Sequence, residues 1–276
     1  MKKIIVSISL FIFSIIYSNI CISIVKNYNP IMKEINKNKN KYERESISAT
    51  INNDEVVPGT SGLKVNSNES FNKMNKYHRY DESLYVFNEV KPKKSINKYY
   101  DKFVVSGNKN NKMISFIYSI DNNIDISSIL NILDQNNIKA TFFIDGKMLD
   151  NNYNLVNKLI YDGHEIELLN YDGSYDRIYF KSSLDLLRDI KKSDNLFCLS
   201  DFKNRRILKL CSSYKLNTIV PNVIINNSLL YNIKTNLKNG LIIKMPYYDG
   251  ELNSSIKYIL NKGYSIVKLK ELLSEW

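Results

Sequence analysis

Acidic and aromatic residues recur where apolar, strand-like runs of this chain stop. Asp121 follows the run Met113–Ile120, and Tyr171, Asp172, Tyr175 and Asp176 follow His164–Leu169. Asp201 follows Leu196–Leu199, and Tyr247, Tyr248 and Asp249 follow Leu241–Met245. On a concave surface such a set suits a carbohydrate, because aromatic rings stack on sugar faces and carboxylates accept from hydroxyls. Paired carboxylates also serve glycoside hydrolysis, or hold a cation that prefers oxygen ligands. Composition offers a plainer origin: 20 tyrosines among 276 residues would place several there by chance. The candidates for ligand contact are Asp121, Tyr171, Asp172, Asp201, Tyr247 and Asp249. Cys21, Cys198 and Cys211 fit neither a metal spacing nor a disulfide framework. Cys198 and Cys211 are therefore expected to be small buried hydrophobes.

Elements that would position those residues are legible from Lys112 onward. Met113–Ile120 (MISFIYSI) reads as a continuous buried strand, and Ser127–Asn137 carries Ile129, Leu130, Ile132 and Leu133 at helical spacing. Ala140–Ile144 is a short strand bounded by Asp145-Gly146. Tyr153–Tyr161 returns to helical spacing, Gly163 sits where a left-handed residue would end it, and His164–Leu169 is the next strand. Further on, strands are predicted at Leu196–Leu199, Thr218–Val220 and Leu241–Met245, and helices at Ser182–Lys192, Lys203–Tyr214, Ser228–Leu237 and Leu252–Asn261. Tyr264–Val267 and Lys270–Leu273 close the chain. This alternation is the pattern of a parallel sheet covered by helices, whose chemistry sits at the C-terminal strand ends. Spacing alone does not separate a barrel from an open doubly wound sheet. The alternation together with the words ATFF and GHEI predicts that Met113–Ile120, Ala140–Ile144, Glu165–Leu169 and Leu241–Met245 are adjacent members of one mainly parallel sheet. Alternation along a strand puts Phe142 and Phe143 on opposite faces.

Two words in this region carry a resemblance. ILNILDQNNIKATFFIDG, followed after a helix by GHEI, resembles the polysaccharide deacetylase family, also called the NodB-homology domain. Members read roughly ILDxLxxxxIKATFFxxG and then GHEIGNHTxxH. The tail from Asn239 to Leu273 resembles the family's last strand, helix, strand and helix, so the likeness spans about Asn111 to Trp276. It implies a distorted (β/α) barrel, and zinc or another divalent metal held by one Asp and two His for amide hydrolysis. The family's ligand positions, carried onto this chain, are not filled. Its two carboxylates fall near Ile117–Ser119, its two metal histidines on Leu169 and Gly173, its arginine word on Cys198–Phe202 and its acid histidine on Pro246. His164, the only histidine in this domain, falls on a family position that is not a ligand and is expected to be a satisfied strand-start residue. The expectation is therefore a deacetylase-like pseudoenzyme without catalytic residues, metal or cofactor. Its alternative is an active amide hydrolase of N-acetylated polysaccharide with a displaced metal site that needs Asp121.

The first 110 residues read differently. Ile4–Val25 is uncharged and long enough to cross a bilayer, so residues 1–26 are expected to be a membrane anchor or a cleaved signal, with the domain outside the cytoplasm. Residues 27–110 are polar, Asn/Lys/Ser-rich and poor in periodic apolar positions, which predicts a mostly disordered spacer. The deacetylase-like domain takes 111–276. Net charge is +11, but the lysines are scattered and no nucleic-acid motif accompanies them. The expected partners are a cell-wall glycan and, through the leader, the membrane, and not nucleic acid.

Overall fold

The computed structural model describes residues 11–17, 26–121, 124–193, 196–248 and 250–276. Residues 11–17 of the apolar leader are helical and exposed, and the rest of the expected anchor lies outside the described residues. Among the described residues no helix is long and apolar enough to cross a membrane.

In chain order the strands are β1 (Thr50–Asn52), β2 (Glu55–Val57), β3 (Gly62–Val65), β4 (Phe87–Val90), β5 (Phe103–Val104), β6 (Met113–Ile120) and β7 (Thr141–Ile144). They continue with β8 (Glu165–Leu168), β9 (Phe197–Leu199), β10 (Asn217–Ile219), β11 (Val223–Ile224), β12 (Leu241–Lys244) and β13 (Ser265–Ile266). The described residues divide into two compact units, residues 1–46 with 61–91, and residues 47–60 with 92–276.

The first unit corrects the expectation of a disordered spacer. Helices Pro30–Asn38 and Ser67–Asn75 bury Met32, Ile35, Phe71 and Met74 together with Tyr85. Asn29 and Asn66 cap the two helices through side chains that accept from Ile31 N and Glu69 N, a role asparagine fills well. Antiparallel β3 and β4 complete the unit. Each helix contributes only two large apolar side chains to this core. That is too few to raise a helical period above the surrounding Asn and Lys.

The second unit is one eleven-stranded sheet, ordered β1-β2-β5-β10-β9-β8-β7-β6-β12-β11, with β13 joined to the N-terminal end of β6. Every pairing is parallel except that of β1 with β2. The four strands predicted to be neighbours are neighbours, in the order β8-β7-β6-β12. The helix that follows β8 begins earlier than its spacing suggested, at Arg177, because Asp176 accepts from Ile178 N and Tyr179 N and starts it there.

One face of the sheet carries Phe142, Ile144, Ile166 and Leu168 under the helical residues Leu133, Leu159, Phe180 and Leu184. The other carries Ile117, Phe143, Leu199, Ile219 and Ile242 in a single inner cluster with Leu269 and Leu272. The sheet is curled around that inner cluster. Lys244 at the end of β12 bonds Asp201, just past β9, although three strands lie between. Four flat strand spacings of about 4.8 Å would separate them by roughly 19 Å, beyond the combined reach of the two side chains. The outermost strands β1 and β11 do not pair with each other, so the architecture is a curled half-barrel and not a closed ring.

A disulfide joins Cys198 of β9 to Cys211 of helix Arg205–Ser213, across a Cα separation of 6.2 Å. This overturns the expectation of two free buried thiols. Spacing of 13 residues matches no framework pattern, but a helix folding back over its own strand brings the two sulfurs together. Replacing Cys211 by Ser is expected to lower the unfolding free energy by about 2–4 kcal/mol, the usual worth of a bond closing so short a loop. Urea unfolding of the variant and of the reduced parent checks this. A loss below about 0.5 kcal/mol in both would show that the bond contributes nothing.

Candidate functional site

The fold words turn out to be residues that satisfy buried backbone donors. Asp145, ending ATFFID, accepts from Lys147 N at 2.9 Å and from Gly173 N at 3.4 Å, so it caps one helix and holds the turn beyond β8. His164 is buried, and its Nδ1 accepts from Ala140 N at 3.1 Å. Burial, and next the Lys139 charge, push its pKa down to about 4. A histidine held neutral in this way is structural, as expected. Because its folded-state value lies below the unfolded one, its contribution is present above about pH 6.5 and is lost as pH falls toward 4. Glu165 accepts from Thr141 Oγ1 at 2.7 Å and from Lys270 N at 3.0 Å, while Thr141 Oγ1 accepts from Leu269 N at 2.8 Å. Those bonds fasten the C-terminal helix under β7 and β8.

At the opposite, C-terminal ends of the strands lies a cleft of about 590 Å³. The end of β6 contributes Ser119 and Asp121, and the segment after β8 contributes Leu169, Asn170, Asp172, Gly173 and Tyr175. Leu199 to Phe202, with Asn204 and Arg206 of the following helix start, form one wall, and Lys244 of β12 another. This is where a parallel α/β sheet carries its chemistry. Leu169 and Gly173, on which the family's two metal histidines fall, both line it, as does Ser119 from the stretch Ile117–Ser119 on which its carboxylates fall.

Of the sequence candidates, Asp121, Asp172 and Asp201 meet in the cleft. Tyr247 stands close by: burial raises its hydroxyl to about 12, with the charges of Asp121 and Asp201 adding to the effect. Tyr175 also lines the cleft, where its hydroxyl donates to Leu199 O at 3.0 Å. Tyr171 does not line it, and stacks on Tyr179 at 5.0 Å instead. Tyr248 is exposed, with its hydroxyl on Asn227 O, and Asp249 lies outside the described residues. Pro246, at the family's acid position, is not among the lining residues.

Carboxylates in the cleft are already engaged. Lys147 Nζ bonds Asp172 at 3.0 Å, and this bond raises the lysine pKa. Lys244 Nζ bonds both oxygens of Asp201, at 2.7 and 2.6 Å. Asp121 also has a partner. The residues present do not fit the family's metal. Leu169 and Gly173 offer no side-chain lone pair, an ammonium holds Asp201, and among the described residues no three His, Cys, Asp or Glu side chains are grouped to hold an ion.

Sequence reasoning missed Lys244, Arg206 and Asn170, and reached Ser119 only as part of Ile117–Ser119, where the family's carboxylates fall. Lys244 left one signal, a charge ending the apolar run LIIK. Asn170 left none, since an asparagine near a strand end is ordinary, and no sequence signal assigned the serine itself a role. Their interest arises only in three dimensions: Ser119 Oγ and Asn170 Oδ1 are buried with no hydrogen-bond partner.

Comparison with known proteins agrees with this geometry. Residues 106–197 match the family described as Polysaccharide deacetylase. The chain is 25% identical over 283 residues to the uncharacterized protein YlxY of Bacillus subtilis, covering 92% of this chain and 86% of that one. Its fold resembles the wild-type protein BA3943 of Bacillus anthracis, described as a CE4 family pseudoenzyme. The TM-score is 0.67 at 21% identity, over 88% of this chain and 95% of that one. A BA3943 mutant described as having restored enzymatic activity matches with a TM-score of 0.68 at 21% identity, over 88% of this chain and 98% of that one. Residues 106–197 thus match the polysaccharide deacetylase family, and the fold of the chain is similar to that of a protein described as a CE4 family pseudoenzyme.

Proposed function

We propose that this protein is a catalytically degenerate deacetylase-like protein that works outside the cytoplasm and binds cell-wall glycan in its strand-end cleft without hydrolysing it. One observation carries the reading: the cleft persists where the family does its chemistry, while Leu169 and Gly173 stand at its histidine positions and Lys244 occupies Asp201. Without ligands there is no metal-activated water, so the attack step lacks its nucleophile instead of losing a modest factor in rate. Secretion is supported by the Cys198–Cys211 bond, since disulfides persist in oxidising compartments, and by the apolar leader, which would anchor the protein in the membrane or be cleaved. The likeness to a protein described as a pseudoenzyme points the same way.

The test is acetate release from acetylated chitin and peptidoglycan fragments with zinc, cobalt or nickel supplied, alongside pelleting of the protein with insoluble peptidoglycan. Release is expected to stay at the metal-free blank while the protein pellets. Metal-dependent release that disappears in Asp121→Asn would overturn the reading. It would place a rebuilt hydrolytic site at the end of β6.

A further inference from the structure

The charges in the cleft point to a particular kind of sugar. Asp172 and Asp201 are each held by a lysine, and Asp121 has a partner as well, so the carboxylates are not the groups left for a ligand. Arg206 is different: it lines the same cleft, is exposed, and among the described residues its guanidinium has no hydrogen-bond or ion-pair partner. A guanidinium presents a planar fork of donors that matches a carboxylate.

Two further observations concern the rest of such a ligand. Phe202, 68% exposed, borders the cleft and offers an apolar ring face to a pyranose. Ser119, only 4% exposed, lines the cleft with its Oγ unpartnered. A buried hydroxyl without a partner is costly unless something supplies one, and a ring hydroxyl or amide of a bound sugar would do so. A neutral glycan would use Phe202 and Ser119 but leave Arg206 idle.

Resting on the glycan-binding reading above, we infer that the cleft selects an acidic sugar, a pyranose bearing a carboxylate, with Arg206 on the carboxylate, Phe202 against the ring and Ser119 at the floor. The carboxylate could be a uronate or a lactyl ether acid, which share this chemistry and differ in how far the acid stands from the ring.

Binding is measured on the full chain by calorimetry with three probes of similar length: a neutral chito-oligosaccharide, a uronate-containing oligosaccharide and a peptidoglycan glycan fragment carrying lactyl carboxylates. One of the acidic probes is expected to bind about 10-fold to 100-fold more tightly than the neutral one, and which one does so identifies the source of the acid. Arg206→Gln should abolish that preference by bringing the acidic probes to the affinity of the neutral one, and Arg206→Lys should keep part of it. Ser119→Ala should weaken all bound probes alike without lowering the melting temperature of the free protein. Equal binding of neutral and acidic probes, or a preference that survives Arg206→Gln, overturns the inference while glycan binding stands. If no probe binds and peptidoglycan does not pellet the protein, the inference falls with the reading on which it rests.

Discussion

Truncating Phe142 or Phe143 to alanine is expected to lower the unfolding free energy by about 3–5 kcal/mol in each case. Both side chains are fully buried, yet they serve different cores. Phe142 lies under the helices, stacked on Tyr118 at 5.0 Å and edge-on to His164 at 5.1 Å. Phe143 faces the inner cluster with Ile117, Leu169 and Ile242. Having few partners in common, the two losses should nearly add, and a double variant should fail to fold, since their sum approaches the whole stability of a typical domain. Urea unfolding of the single variants checks this, and a loss below about 1 kcal/mol in both would mean that β7 is not central to the sheet.

That such a statement was legible from sequence has a physical reason. β6, β7 and β12 are buried and read as largely apolar runs, β8 carries the word GHEI, and Asp145, Gly163 and Gly240 end elements through local geometry. Where interactions are local, sequence reports them. β1, β2, β5 and β11 were not legible, because two or three residues establish no period. The first unit stayed hidden for a related reason, a core built from a few scattered large side chains in a polar background. At the site, the strand ends could be predicted but not the company kept there. Lys244 and Asp201 are 43 residues apart and meet only because the sheet curls, and the Cys198–Cys211 bond depends on how one helix lies over one strand.

Replacing Lys191 by methionine is expected to destabilise the fold in a strongly pH-dependent way. Glu167 is fully buried in β8; one oxygen contacts Lys191 Nζ and the other accepts from Phe197 N at 2.8 Å. Burial pushes its carboxyl up from 4.5 to about 8, against the pull of Lys191. Because the folded-state value lies above the unfolded one, the native state holds a proton that the unfolded chain releases. The contribution of Glu167 to stability therefore falls as pH rises from about 4.5 to about 8. Without the ammonium the folded-state value climbs further and the fall continues into the alkaline range. At pH 5 the variant should lose about 1 kcal/mol, the worth of a hydrogen bond. At pH 9 the loss should reach about 3 kcal/mol or more, the penalty of a buried charge without its counterion. Denaturant melts at the two pH values decide it, since an equal loss at both would mean that Lys191 acts only through its aliphatic stem.

The position of β6 at the middle of the sheet also bears on how the chain is made. Its N-terminal half pairs with β12, Leu241 opposite Ile114, and β12 leaves the ribosome more than a hundred residues later. At ordinary rates of synthesis that interval is on the order of ten seconds. Throughout it, one edge of β6 is bare, and Ile117 and Phe143 still lack Ile242, Leu269 and Leu272, their neighbours in the finished inner core. An unpaired apolar strand edge recruits other chains. The nascent protein therefore passes through a stage at which chaperone binding competes with aggregation, and the last few dozen residues end it.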